Sequence, residues 1–483
     1  MAKKIYTIKF FHGGIADSEK EGLRGSFFFS QKLDIFSEPT NITLLPKTAK
    51  SSSSTVVDLV KWIVVGTPND TNIYYYGDAG HIYSSTNAGG SWSDLRTVSN
   101  SNGQGMDLYN DYIYYTQNTQ IGWYGPLSSS PSFTDNWQGS LNDTSTSKFA
   151  PVKAFKEGFA VGNGNDLGWY DGVTWDQDKI VLPPGFNIRS LDVVDEFLAV
   201  GAWRGTSITD SEQGLVFFWD GSATTFNFFV EIPEGGVNAL LNSRNRLLSM
   251  VGSNGIIYLN YNPFQKAHRI PKLEYSKYVE VYPGAVTNWK GIAHIGTSGN
   301  TDSTSIIQGV YQWGAKSDKY NEALNFAYVI STGTSTGTGM KIGAVKGIGN
   351  QMFIGWKDGS DYGVDRVIQT ADPFANGTYE GLFFDDKRPA QDKLAVTLKA
   401  LHKALASGES VQLGYKINRA SSYTTGTANS TVGDTETRLP VPSSDARFKE
   451  IMFEVILATT GSTSPTVTAI VLEYDDMSEE TLV

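Results

Sequence analysis

The chain of 483 residues contains no cysteine, which removes disulfides, thiolate metal centres and cysteine nucleophiles at once. Charge is also sparse, at 18% of residues. The net charge of −11 comes with no concentrated basic stretch, so a sequence-independent grip on phosphate backbones is not expected. Only five histidines occur, His12, His81, His268, His294 and His402, and no two have metal-ligand spacing. His294, in an apolar strand, reads as a core residue. No long apolar run is present: Lys3, Lys4, Lys9 and His12 punctuate the start, so neither a signal peptide nor membrane insertion is expected. Synthesis and folding in a cytoplasm follow as the expectation.

What the sequence does have is 40% hydrophobic residues, 12% aromatics and 50 glycines, the composition of many short strands joined by tight turns. Seven times a short apolar strand runs through a Gly, Asn or Asp turn into a second strand, at 62–76, 109–124, 154–170, 191–219, 239–259, 286–313 and 344–367. Equivalent positions Val64, Ile113, Phe159, Leu198, Leu248, Ile292 and Phe353 are 39 to 61 residues apart, the size of a four-stranded propeller blade. The dipeptides Asn163-Gly164, Asp171-Gly172, Asp220-Gly221, Asn254-Gly255 and Asp358-Gly359 read as type I′ hairpin turns. The fold class is therefore all-β: a β-propeller of six or seven blades, with an N-terminal arm and a C-terminal β-sandwich.

The expected organisation is an arm and linker at 1–55, a propeller at 56–385, a sandwich at 386–475 and an acidic tail at 476–483. In the arm, Phe27, Phe28 and Phe29 are adjacent; they either close the last blade by pairing with a C-terminal strand or serve as assembly contacts on a neighbouring subunit. Residues 47–55 read as a polar linker. The loop 331–339, made of Ser, Thr and Gly, reads as disordered or ordered only against a partner. The alternation at Val411, Leu413, Tyr415 and Ile417, and at Phe453, Val455 and Leu457, marks the sandwich.

Candidate chemistry is thin. Arg189, Arg204, Arg244, Arg246 and Arg366 are distributed over different blades and would have to converge to hold a carboxylate. Asp192 with Asp195 and Glu196, or Asp385 with Asp386, offers paired carboxylates, but both groups read as turns. The oxygen-rich stretches at 69–70, 163–166 and 358–361 do not complete a calcium loop. Trp137, Trp175, Trp203 and Trp356 stand beside turns and would be the sugar-stacking surfaces of a glycan binder; blade packing is the plainer reading. No catalytic residue, cofactor or metal is expected.

The segment Ser85-Thr86-Asn87-Ala88-Gly89-Gly90-Ser91-Trp92 resembles the Asp-box hairpin of sialidases and related propellers, with Asn87 in place of Asp and Ser91 in place of Thr. That resemblance implies a structural turn with Ser85, Asn87, Gly89 and Trp92 as its parts. The aromatic stretch 22–29, the propeller and the closing segments 449–455 and 469–474 together resemble virion structural proteins of tailed bacteriophages. The resemblance implies a non-enzymatic tail component (nozzle, hub or distal tail) that assembles as a homo-oligomeric ring and docks other tail or adaptor proteins. It would be located in the virion, with DNA passing a lumen without specific binding and host-surface glycan as a further contact. A glycan- or receptor-binding propeller, or a sialidase-like glycosidase, is the alternative.

Overall fold

A computed structural model describes residues 2–51, 56–66, 71–98, 102–139, 141–142, 149–210, 212–243, 246–251, 255–260, 265–269, 279–299, 307–444 and 446–477. Among them there is no α-helix, only one turn of 3-10 helix at Ile208–Asp210, and the protein is all-β. Two compact units divide the chain. The larger comprises Thr48–Val310 and Val329–Val367; the smaller comprises Met1–Lys47, Tyr311–Tyr328 and Ile368–Val483.

Successive meanders form four-stranded antiparallel sheets in chain order. Their first strands, all in the larger unit, are Val60–Val65, Gly105–Tyr109, Val152–Phe155, Phe186–Val194, Val237–Ser243, Val286–Trp289 and Met340–Ile348, here sheets one to seven. The last two strands of sheet six, Gly309–Gly314 and Ala323–Tyr328, fall mostly in Tyr311–Tyr328 of the smaller unit. Sheet seven takes its fourth strand from far upstream: Ala49–Lys50 pairs with Asp361–Ile368, Lys50 opposite Asp365.

The inner strands are buried on both faces, because period-2 alternation sends successive side chains to two different neighbours, while outer strands such as Ser93–Thr97 and Gln265–Arg269 are exposed or half-buried. In Ile73–Gly77, Tyr75 joins Phe353, Ala344 and Val364 of sheet seven, whereas Tyr74 and Tyr76 join Ile113 and Tyr115 of sheet two. The same division recurs along the series. Phe159 and Val161 pack on Tyr114 and Ile121, Trp169 on Trp219, and Val216 and Phe218 on Val237 and Leu247. Each fully buried aromatic of this kind contributes about 3 kcal/mol by removal from water.

Turn chemistry differs in detail from the sequence reading. Asn110 and Asp111 both have positive φ (46° and 68°) and make the type I′ turn between Gly105–Tyr109 and Tyr112–Gln117. At Asn163-Gly164, only the glycine has positive φ (65°) and Gly164-Asn165 forms the loop, which is the II′ pattern rather than I′. Asn254 lies outside the described residues.

The smaller unit is a sandwich of two five-stranded sheets. One runs Ala2–Ile8, Val467–Asp476, Lys393–His402, Glu436–Pro440, with Arg447–Phe448 also on Lys393–His402. The other runs Thr424–Thr425, Glu409–Ile417, Ile451–Thr459, Asn376–Glu380, Phe29–Gln31. Tyr6 stacks on Phe384 at 4.0 Å and reaches Phe453 at 6.2 Å, and Leu398, Leu413, Val455 and Leu472 are buried with them.

Three expectations change here. The N-terminal residues are strands of the sandwich rather than an arm, and the compact units do not divide at 55, 385 and 475. Phe27 and Phe29 are buried in the smaller unit, against Tyr379 (5.4 Å) and Phe326 (6.1 Å), so they are not available as assembly contacts; Phe28 is half-buried with Lys416 over its ring. They do not complete the last blade either, since that strand is Ala49–Lys50, inside the stretch read as a linker. Of the acidic tail, 478–483 lie outside the described residues.

Candidate functional site: the cavity between the first strands

The first strands of all seven meanders line one cavity of about 470 Å³ in the larger unit. Four charged side chains face it: Asp107, Lys153, Asp192 and Lys346. They occupy one repeated position, each two residues before the end of its first strand, at Tyr109, Phe155, Val194 and Ile348. The corresponding residues of sheets one, five and six are Ile63, Leu241 and Thr287.

At this level the sheets are tied to one another by side chains. Asp107 accepts the N–H of Ala154 in sheet three (2.8 Å), Asp192 that of Asn242 in sheet five (2.5 Å), and Thr287 Oγ1 that of Gly347 in sheet seven (3.2 Å). The accepted N–H belongs each time to the residue following the repeated position. The other carboxylate oxygens are used as well: Asp107 Oδ1 accepts from Leu108 (2.9 Å), and Asp192 Oδ1 from Val193 (2.9 Å) and Lys153 Nζ (2.8 Å). The carboxylate of Asp192 holds the Lys153 ammonium above its usual range. Burial instead lowers Lys346, with Asp107 and Asp192 opposing the shift and Lys153 adding to it.

Elsewhere the candidate residues are structural. Ser85, Asn87, Gly89 and Trp92 form the turn that their order resembles. Asn87 Oδ1 accepts from Ser85 Oγ and from the Ser91 N–H, its Nδ2 donates to Ser91 Oγ, and Ser85 Oγ accepts from Gly89 N–H, all at 2.9 Å. The amide thus satisfies groups that the acid would meet only by acceptance. Trp92 is buried and stacks on Tyr75 at 3.6 Å, and Gly89 (φ 81°) lies where a Cβ would strike the Phe353 ring.

Among the described side chains, Arg189, Arg204 and Arg366 are separately placed. Arg189 is buried and donates to Glu280, Asn238 O (3.1 Å) and Val281 O (3.3 Å); a cavity of about 120 Å³ beside it is lined by neither Arg204 nor Arg366. Arg204 ends its strand exposed, and Arg366 donates to Ala88 O (3.4 Å). Arg246 opens the strand Arg246–Val251, and Arg244 lies outside the described residues. Asp192 is spent on its ties, Asp195-Glu196 is a hairpin turn, and Asp386 pairs with Lys4 at 2.9 Å while Asp385 accepts the Lys387 N–H (2.8 Å). Trp203 and Trp356 are buried, which removes them as open platforms; Trp137 and Trp175 are half-buried, meeting Tyr170 at 5.0 Å and Phe159 at 6.3 Å. His294 is buried, with Nδ1 3.0 Å from Ile292 O, and burial lowers it to about 4. The 163–166 and 358–361 stretches are hairpin turns, and 69–70 lies outside the described residues.

The loop 331–339 is held by its own chain. Asp365 accepts from Ser331 N–H and Oγ (both 2.6 Å) and from Trp356 Nε1 (2.8 Å), and Asp358 accepts from the Thr332 and Thr334 hydroxyls. Sequence reasoning missed Asp107, Lys153 and Lys346; their shared offset from the strand end was the available signal.

No family model matches the chain, and no curated protein matches it. It is similar to solved structures at 12% identity in each case. A chain of a crystal structure of a mitotic checkpoint complex is covered over 92% of its length by 67% of this chain, with TM-score 0.44. U3-55K is covered over 99% by 67% of this chain, with TM-score 0.46. The extracellular domain of a one-component system from B. thetaiotaomicron is covered over 46% by 76% of this chain, with TM-score 0.48.

Proposed function

We propose that the seven meanders are the blades of a closed seven-bladed β-propeller and that the chain is a non-enzymatic building block of a phage tail. For closure, the support is that sheet one packs on both sheet two and sheet seven, while Ala49–Lys50 supplies the last outer strand. For a mechanical role, the carrying observation is the use made of charge at the centre: Asp107, Lys153 and Asp192 bind one sheet to the next instead of standing ready for a substrate. A stiff spacer needs such ties. In this reading copies of the chain assemble as a ring, other tail or adaptor proteins dock on it, and DNA passes the lumen of the ring without specific contacts. Host glycan contact would fall to surfaces other than the buried Trp203 and Trp356.

Native mass spectrometry with negative-stain microscopy of the purified protein, and immunogold labelling of the source particle, test this. A cyclic oligomer and gold on the tail are expected. A strictly monomeric protein absent from particles would overturn the reading.

A further inference from the structure

The ties around the cavity leave one charged group over. Asp107 and Asp192 have both oxygens engaged, and Lys153 is matched by Asp192. Lys346 Nζ has no acceptor among the described residues, although it lines the cavity. The reason lies in the repeat. Sheet one packs on sheet seven and presents Ile63 at the level where its counterparts present Asp107 or Asp192, so Lys346 gets no carboxylate partner from the neighbouring sheet, and Asp107 and Asp192 act on it only through space. The lining therefore has spent carboxylates and one spare cation, the complement of an anionic ligand.

We propose that this cavity binds a small molecule through a carboxylate or phosphate monoanion set against Lys346. The four lining charges cancel, which favours one added negative charge over several, and about 470 Å³ is in the range of small-molecule pockets. Ionised Asp107 and Asp192 oppose a polyanion, and Lys153 is already neutralised. An anion beside Lys346 would also offset the burial that lowers its basicity. The proposal does not depend on the oligomeric state.

The test is calorimetry and thermal unfolding at about pH 5.5, where phosphates are mainly monoanions and acetate is ionised, and at fixed ionic strength, with inorganic phosphate, acetate and glucose 6-phosphate as probes. A saturable rise in Tm is expected with at least one, weakened at least tenfold by Lys346→Gln and unchanged by Lys3→Gln on the exposed N-terminal strand. Response to the phosphates alone, or to acetate alone, assigns which anion the site takes. No saturable response to any probe, or an equal one in Lys346→Gln, overturns the proposal. Should Lys346→Gln fail to fold, acylation of the wild-type protein read by mass spectrometry replaces it. The effective anion is then expected to protect Lys346 and not Lys3, and lack of protection overturns the site.

Discussion

At the scale of single residues, buried ionisable groups in the larger unit are held by hydrogen bonds that burial works against. Asp365 accepts three, yet burial pushes it up to about 6. An acid whose folded pKa is raised binds its proton more readily in the native state, so its contribution to stability falls as pH rises from about 4 to about 6. Two units correspond to on the order of 3 kcal/mol. Urea unfolding of wild type and Asp365→Asn across that window, taken as a difference, should show wild type losing ground as pH rises; parallel curves would show that Asp365 titrates normally. The Asp-box-like turn gives a second expectation. Asn87→Ala removes acceptors from Ser91 N–H and Ser85 Oγ and should cost about 1–2 kcal/mol, whereas Trp92→Ala, which empties the space against Tyr75 and Phe353, should cost about 3–5 kcal/mol. Equal losses in chemical denaturation would contradict the division of labour between amide and indole.

At the scale of elements, legibility followed periodicity. Strands such as Ile73–Gly77 and Glu409–Ile417 were readable because alternating apolar residues go to buried faces whatever the partner. Ala49–Lys50 was not, since both residues are exposed and their place is set by backbone pairing with Asp365 and Arg366 and by the Lys50 ammonium over the Trp356 ring (5.1 Å). Ala2–Ile8 alternates only weakly, and its pairing with Val467–Asp476 is long-range, so neither its partner nor its sheet could be read locally. The cavity was hidden for a related reason: Lys346 within Ala344-Val345-Lys346-Gly347-Ile348 looks like the solvent-facing member of an alternating strand. Two substitutions probe these elements. Ser51→Pro removes the N–H that donates to Val364 O at 2.9 Å and should cost about 1–3 kcal/mol, with faster hydrogen exchange in Asp361–Ile368. Asp107→Ala leaves the Ala154 N–H without its acceptor and should cost a similar amount, with exchange rising at Val152–Phe155; unaltered exchange there would show that the tie is dispensable.

For the whole molecule, the pairing of Lys50 with Asp365 joins positions 315 apart in sequence. Bringing ends so distant together carries an entropic cost of about 5 kcal/mol by the logarithmic law for flexible loops. A two-residue strand cannot offset that alone, so its docking is expected to depend on sheets already packed and on the other long-range pairings of the N-terminal residues. During synthesis the upstream partner leaves the ribosome first and waits while more than 300 residues follow. Until then Asp361–Ile368 has an unpaired edge, a template on which another nascent chain could dock. Chains lacking residues 1–51 should therefore self-associate through that edge, and a synthetic peptide carrying 47–51, added in trans, should suppress the association.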